Sequence, residues 1–227
     1  MANLGADRLV HDRLALGLML QADHADETPA GGGRLRGNGW LAGPYLSAEI
    51  APGLHLGLRG AVGASENTAE LAPAGDGRLF TARFTTRRSL WRASLRGETR
   101  LGAMTLTPVL DLAAMRETIP DHLAHDAWHS VAIGGGTVLT RRGAVSATAA
   151  FALGPGPEAP IFSLRPEWSA SLVPEGAGTR RTQGWAIELG LRSGPGARWL
   201  HDISLRHDAQ RGGARATAIS LSFSRAF

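Results

Sequence analysis

Three imidazoles stand at spacings of three and four in Asp121-His122-Leu123-Ala124-His125-Asp126-Ala127-Trp128-His129. On a helical turn that spacing presents nitrogen ligands to a divalent metal. The segment has no capping signal and no fourth ligand, and its polarity fits an exposed loop, so the expected reading is a solvated loop and no metal is assigned. Serine, histidine and aspartate are all present, yet no G-x-S-x-G stretch holds a serine on a strained turn. A phosphate loop needs its lysine, and lysine is absent because all 24 basic residues are arginine. The run Gly134-Gly135-Gly136 sits among strand-like residues and reads as a point of curvature. These residues point away from an enzyme, and no cofactor is implied.

Charged residues that recur on one face of alternating segments are a different kind of candidate. In Leu54 to Ser65, Leu54, Leu56, Leu58 and Val62 share one face, and His55, Gly57, Arg59, Gly63 and Ser65 share the other. This is period two, the signature of a strand. Leu14, Leu16, Leu18 and Leu20 oppose Arg13, Gly17, Gln21 and Asp23. Leu106, Leu110 and Leu112 oppose Thr105, Thr107 and Asp111, and Trp185, Ile187, Leu189 and Leu191 oppose Glu188, Gly190 and Arg192.

Such alternation fits a soluble sheet with its apolar face inside, or a membrane barrel with its apolar face in lipid. Expected strands of about 10 to 18 residues exceed the roughly 5 or 6 of soluble sheets, and a tilted membrane strand needs about 9 to 11. Trp40, Tyr45, Trp91, Trp128, Trp168, Trp185, Trp199 and Phe227 fall toward expected strand ends, as an interfacial girdle requires. With 43% apolar and 19% charged residues the chain is too apolar for disorder. No run of 18 apolar residues gives a membrane helix. The absence of cysteine removes disulfides and thiolate metal sites. The net charge of +4 is spread along the chain rather than clustered, so no nucleic-acid partner is expected.

The expected fold is all-β, an antiparallel up-and-down transmembrane barrel of about 12 strands forming a single domain over residues 1–227. The strands are placed at 3–10, 12–24, 34–50, 54–65, 79–98, 104–118, 128–141, 144–153, 160–172, 182–193, 197–208 and 214–227. Tight connections at 10–12, 51–53 and 97–103 alternate with long ones at 26–33, 66–78 and 119–127. Barrels of this kind have short periplasmic turns and longer outer loops, so the first strand runs downward. A last strand ending in the periplasm also runs downward, which requires an odd number. The twelve therefore includes one too many, expected between 141 and 208, and an even barrel would need one more strand upstream.

The terminal strand alternates Ile219, Leu221, Phe223 and Phe227 against Ser220, Ser222 and Ser224. It resembles the closing strand of outer-membrane barrels, whose aromatic end is read by the barrel-assembly machinery. Arg225 departs from that pattern. The stretch Gly37-Asn38-Gly39-Trp40-Leu41-Ala42-Gly43-Pro44-Tyr45 resembles the G-x-G-W-[ML]-A-G-P-Y segment of the autotransporter β-domain, with Gly39, Trp40, Gly43, Pro44 and Tyr45 at its distinctive positions. Leu4-Gly5-Ala6-Asp7, Leu14-Ala15-Leu16-Gly17 and Gly60-Ala61-Val62-Gly63-Ala64-Ser65-Glu66-Asn67 resemble neighbouring parts of that domain. The likeness runs from Asn3 to about Thr118 and then fades to a generic barrel pattern.

That resemblance implies a type V secretion translocator in the bacterial outer membrane, with outer-membrane lipid, the assembly machinery and its own passenger polypeptide as partners. It also implies a lumen helix and a passenger that this sequence does not contain. Met1 to Val10 lacks a signal-peptide pattern, so a truncated domain is expected. Arg13, Asp23, Arg59, Glu98, Asp111, Glu188 and Arg192 are the expected lumen-facing charges, and Phe223 and Phe227 the assembly signal. A pore without passenger and a soluble barrel for a small apolar ligand are the alternatives.

Overall fold

A computed structural model describes residues 2–28, 33–71, 78–175, 178–197, 199–210 and 215–225. The described residues form strands and turns with no helix. The strands are β1 (Ala2–His11), β2 (Leu14–Glu27), β3 (Arg34–Ala51), β4 (Leu54–Leu71), β5 (Phe80–Gly97), β6 (Thr99–Leu101) and β7 (Met104–Ile119). They continue as β8 (His122–His125), β9 (Ser130–Ile133), β10 (Gly136–Ala152), β11 (Ile161–Glu175), β12 (Gly178–Arg192), β13 (Trp199–Gln210) and β14 (Arg215–Arg225). All belong to one fourteen-stranded sheet. Its hydrogen-bonded path runs β1-β2-β3-β4-β5-β7-β10-β11-β12-β13-β14, with the short β6, β8 and β9 off it.

Eleven strands on the described path give the odd number that the direction argument required. The surplus strand is a correction at Arg142 and Gly143, where two strands at 128–141 and 144–153 were expected. Arg142 pairs with Ser171 and Gly143 with Ala170 on β11, so β10 passes straight through. Glycine tolerates extended backbone as well as a turn, and here cross-strand pairing decides between them.

The segment expected as a loop at 119–127 contains β8, which pairs with β9 and joins β5 through Thr81↔His125 and Ala82↔Ala124. Gly134 and Gly135 lie between β9 and β10 rather than inside a strand. A Cβ on Gly135 would sit 2.3 Å from the Ile119 carbonyl oxygen. This close approach, together with the Gly135 N–H donated to Asp121 Oδ1 at 2.6 Å, explains the glycine there.

The alternation of long and short connections stops after β10. The link from Leu153 to Pro160 is tied by the Leu153 N–H to the Pro160 carbonyl at 2.7 Å, whereas β11 and β12 are separated by residues 176 and 177 alone.

By internal contact the chain forms two compact units, residues 1–48, 57–92 and 113–140 in the first and residues 49–56, 93–112 and 141–227 in the second. Among the described residues, the buried apolar ones are Met19, Leu41, Ala61, Ala69, Phe80, Ala82 and Ala124 in the first unit and Ala144 and Ala186 in the second. Large apolar side chains are exposed instead. Val62 is 64% exposed and Trp91 68% in the first unit, and Ile219 is 71% and Phe223 70% in the second. Residues between them in sequence, such as Ala61 and Ala186, are concealed.

This inverts the soluble arrangement, because apolar area left in water forgoes about 25 cal/mol per Å². Three expected girdle positions are corrected. Trp168 and Trp185 are register partners in the middle of β11 and β12, and Tyr45 turns to the concealed face. The side chain of Trp199 and all of Phe227 lie outside the described residues.

Candidate functional site

Across β1 to β3, the face that carries Tyr45 is built in rows of register partners. Asp7 pairs with Gly17, and Gly17 with Tyr45. A Cβ on Gly17 would lie 2.4 Å from Tyr45 Cζ, so the absent side chain lets the ring lie across β2. The Tyr45 hydroxyl then donates to Asp7 Oδ2 at 2.6 Å. This contact satisfies the hydroxyl and fixes the order of the three strands.

A second row uses the same device. Asp23 pairs with Gly39, and a Cβ on Gly39 would stand 2.2 Å from Arg88 Nη1. The guanidinium reaches from β5 over this opening to Asp23, with Nη1 at 3.0 and 2.9 Å from the two carboxylate oxygens. Arg88 Nε lies 3.9 Å from Glu117 on β7. Glu117 Oε1 accepts from the Thr86 hydroxyl at 2.6 Å. Gly43 answers to backbone: its Cβ would meet the Gly60 carbonyl oxygen of β4 at 2.0 Å. Trp40 and Pro44 face outward, so the stretch from Gly37 to Tyr45 has close-approach positions inside and apolar ones outside.

In the second unit the concealed face carries a ladder of charges. Glu167 on β11 accepts from Arg142 Nη2 on β10 at 2.8 Å and from Arg206 Nη2 on β13 at 3.1 Å. Arg206 also holds Asp208, with Nη2 to Oδ1 at 2.8 Å, and approaches Glu188 at 3.7 Å. Glu188 accepts from Arg165 Nη2 at 2.6 Å. Neighbouring strands thus neutralise one another while keeping both signs on the surface.

Of the expected lumen charges, Asp23 and Glu188 are members of these networks. Arg59 and Asp111 are half-buried on the same alternation. Arg13 lies in the turn between β1 and β2, and Glu98 in the bend before β6, where its N–H donates to the Gly53 carbonyl at 2.7 Å. Arg192 ends β12 and lines a cavity of about 420 Å³ with Ile161, Asp202 and Ser222. Arg88, Glu117, Arg142, Arg165, Glu167, Arg206 and Asp208 were missed. The signal was available, since Arg165 and Glu167 alternate with Leu164, Pro166 and Trp168.

The three histidines do not converge. His122 stacks on Phe84 with ring centroids 4.2 Å apart, His125 Nδ1 is 2.8 Å from Ser130 Oγ, and His129 Nδ1 is 3.4 Å from Asp126. Asp126 accepts the N–H groups of Trp128 and His129 at 2.7 and 2.6 Å. Those bonds, the Trp128 one foremost, lower its carboxyl below the usual range. The β8–β9 turn is therefore an aspartate-capped turn.

The family description "Autotransporter beta-domain" matches residues 1–219. The chain belongs to the autotransporter β-domain family. It is an outer-membrane β-barrel, and its role is that of a translocator for passenger secretion. Its exposed apolar face is therefore the lipid face and its concealed face the lumen wall.

Solved structures agree on the fold. The β-domain of the Bordetella autotransporter BrkA is similar with a TM-score of 0.76 at 16% identity, over 99% of this chain and 89% of that one. The translocator domain of NalP from Neisseria meningitidis is similar with a TM-score of 0.71 at 10% identity, over 99% and 78%. The ferric enterobactin receptor PfeA from Pseudomonas aeruginosa is similar with a TM-score of 0.53 at 14% identity, over 99% of this chain but 39% of that one. No curated protein sequence matches the chain.

Proposed function

We propose that residues 1–227 serve as one barrel domain that conducts an unfolded passenger through its lumen, with no catalytic step of its own. The supporting observation is the lumen wall, whose charges of both signs are paired with one another, as in Asp23 with Arg88 and Glu167 with Arg206. Paired charges keep a wall wet while leaving little unbalanced field to hold a passing segment. Arg59, Asp111 and Arg192 belong to the same wall in this reading, and Arg13 and Glu98, in the connections, to its rim. A barrel of about twelve strands lies between the side-chain-filled eight and the open channel of sixteen, which leaves room for one helix roughly 10 to 12 Å across.

Phe223 and Phe227 present the last strand to the barrel-assembly machinery. Phe223 is described and exposed on the lipid face; Phe227 lies outside the described residues.

The test places a signal sequence and a reporter passenger ahead of Met1 in a Gram-negative cell. Protease added to intact cells is expected to clip the reporter. An inserted, heat-modifiable barrel with the reporter protected in the periplasm would contradict the reading. Deletion of Phe227 is expected to reduce the inserted fraction, and unchanged insertion would remove its role as signal.

A further inference from the structure

The lipid face of β5 changes character part-way along. From the strand start its outward residues read Thr81, Arg83, Thr85, Arg87 and Ser89, then Trp91, Ala93 and Leu95. On β7, the hydrogen-bonded neighbour of β5, the outward residues read Leu106, Pro108, Leu110, Leu112 and Ala114, then Arg116 and Thr118. The Thr86 to Glu117 hydrogen bond on the lumen side sets the two strands level. Arg87 and Arg116 flank that pair and therefore stand beside each other on the opposite, lipid-facing side. Arg83 follows four residues up the strand from Arg87, roughly 13 Å away. All three are exposed.

None of the three makes an ion pair or hydrogen bond with a described residue. Glu66 and Glu70 lie on the outward face of the neighbouring β4, and neither is within 4.0 Å of these guanidinium groups. At the same end of β2 and β3 the outward arginines are neutralised: Arg34 Nε donates to Asp26 at 2.7 Å, and Arg36 approaches it at 3.7 Å.

Arginine facing lipid is penalised most at the bilayer midplane and little at its edges. These three stand just beyond the apolar stretch of β5 that begins at Trp91, at the end that carries the loops and so faces outward. What meets them there is the headgroup layer.

We infer that Arg83, Arg87 and Arg116 form a binding surface for a phosphate-bearing anionic lipid headgroup of the outer leaflet. The guanidinium fork matches the tetrahedral oxygens of a phosphate better than a single carboxylate. Three unpaired forks at the edge of the apolar band let the acyl chains of the same lipid pack on Trp91. Polybasic segments at a membrane surface attract anionic lipid by the same electrostatics.

The full chain, refolded into phosphatidylcholine vesicles with or without phosphatidic acid, is unfolded by urea at low salt. Phosphatidic acid is expected to raise the midpoint, and Arg83→Gln with Arg87→Gln and Arg116→Gln is expected to abolish most of that rise. Arg34→Gln with Arg36→Gln is expected to keep it. The triple variant in pure phosphatidylcholine is expected to match the parent or exceed it, which shows that it folds; if it does not refold, Arg116→Gln alone is read in the same way. A full rise in the variant lacking the patch overturns the inference. So does an equal rise with a fatty acid in place of phosphatidic acid, since phosphate is then not distinguished. An equal rise with inorganic phosphate and neutral vesicles likewise overturns it, since the lipid is then not the ligand.

Discussion

The lumen wall is filled in two ways. Around β1 to β5 it is filled by close approach: Tyr45 lies over Gly17, Arg88 reaches Asp23 past Gly39, and Gly43 faces the backbone of β4. Along β10 to β13 it is filled by long charged side chains that pair from strand to strand through Glu167, Glu188 and Arg206. The first solution needs glycine at fixed positions, because no other residue leaves the space. The second is met by many arrangements of arginine, aspartate and glutamate. The motif residues Gly39, Gly43 and Tyr45 fall in the first region, where spacing is fixed, while the family match itself runs through residues 1–219 and includes the second.

The lipid face does not differ between the two regions, and the largest effect tests that. Arginine in place of Leu56 or of Leu189 is expected to cost about 2–4 kcal/mol near the bilayer midplane, equally in both. Arginine at Gly57 on the lumen side is expected to cost much less. Urea unfolding in lipid vesicles measures all three, and equal costs on both faces would remove the assignment.

The glycines sharpen the contrast. Gly43→Ala sets a methyl group 2.0 Å from a backbone oxygen, and the backbone shift it forces is expected to cost about 2–3 kcal/mol. Gly190→Ala meets the Ser163 hydroxyl at 2.5 Å, a group that can rotate away, and is expected to cost about 1 kcal/mol or less. The same unfolding experiment compares them, and a larger cost at Gly190 would refute the distinction.

Redundancy gives a smaller effect. Asp23 is the only carboxylate hydrogen-bonded to Arg88 among the described residues, whereas Arg206 keeps Asp208 when Glu167 is lost. Both networks face water, which screens them. Asp23→Asn is expected to cost about 1 kcal/mol and Glu167→Gln about half of that.

The smallest effect lies in the β8–β9 turn. Hydrogen bonding lowers the Asp126 carboxyl from its ordinary 3.8. Its contribution is therefore complete above that value and lost as pH falls below it through the depressed folded value. Faster amide exchange at Trp128 and His129 below that pH, absent from the pH response of Asp126→Asn, is the expected result.

Much of this was legible in the sequence. Period two separated the exposed apolar face from the concealed one because the side-chain period of a strand is fixed, and the odd strand count followed from chain direction. The wall networks were only partly legible. Asp23 and Glu188 stood out by alternation, but their partners are 65 and 23 residues away along the chain, and no local pattern joins such residues. Tyr45 was expected at the interface because aromatic type suggests a girdle; its place across a glycine depends on the row that Asp7, Gly17 and Tyr45 form. The β8–β9 hairpin was missed because its strands are four residues each and draw their order from pairing with β5.

The account rests on which face of each strand meets lipid, and the chain has no cysteine to complicate a label. Single cysteines carrying nitroxide labels at Leu205 and Ser204 on β13, and at Val62 and Ala61 on β4, are compared in lipid vesicles for collision with dissolved oxygen and with a water-soluble nickel chelate. The labels at Leu205 and Val62 are expected to favour oxygen, and those at Ser204 and Ala61 to favour the chelate or neither. Chelate access at Leu205 and Val62, with oxygen favoured at their neighbours, would contradict the barrel as described.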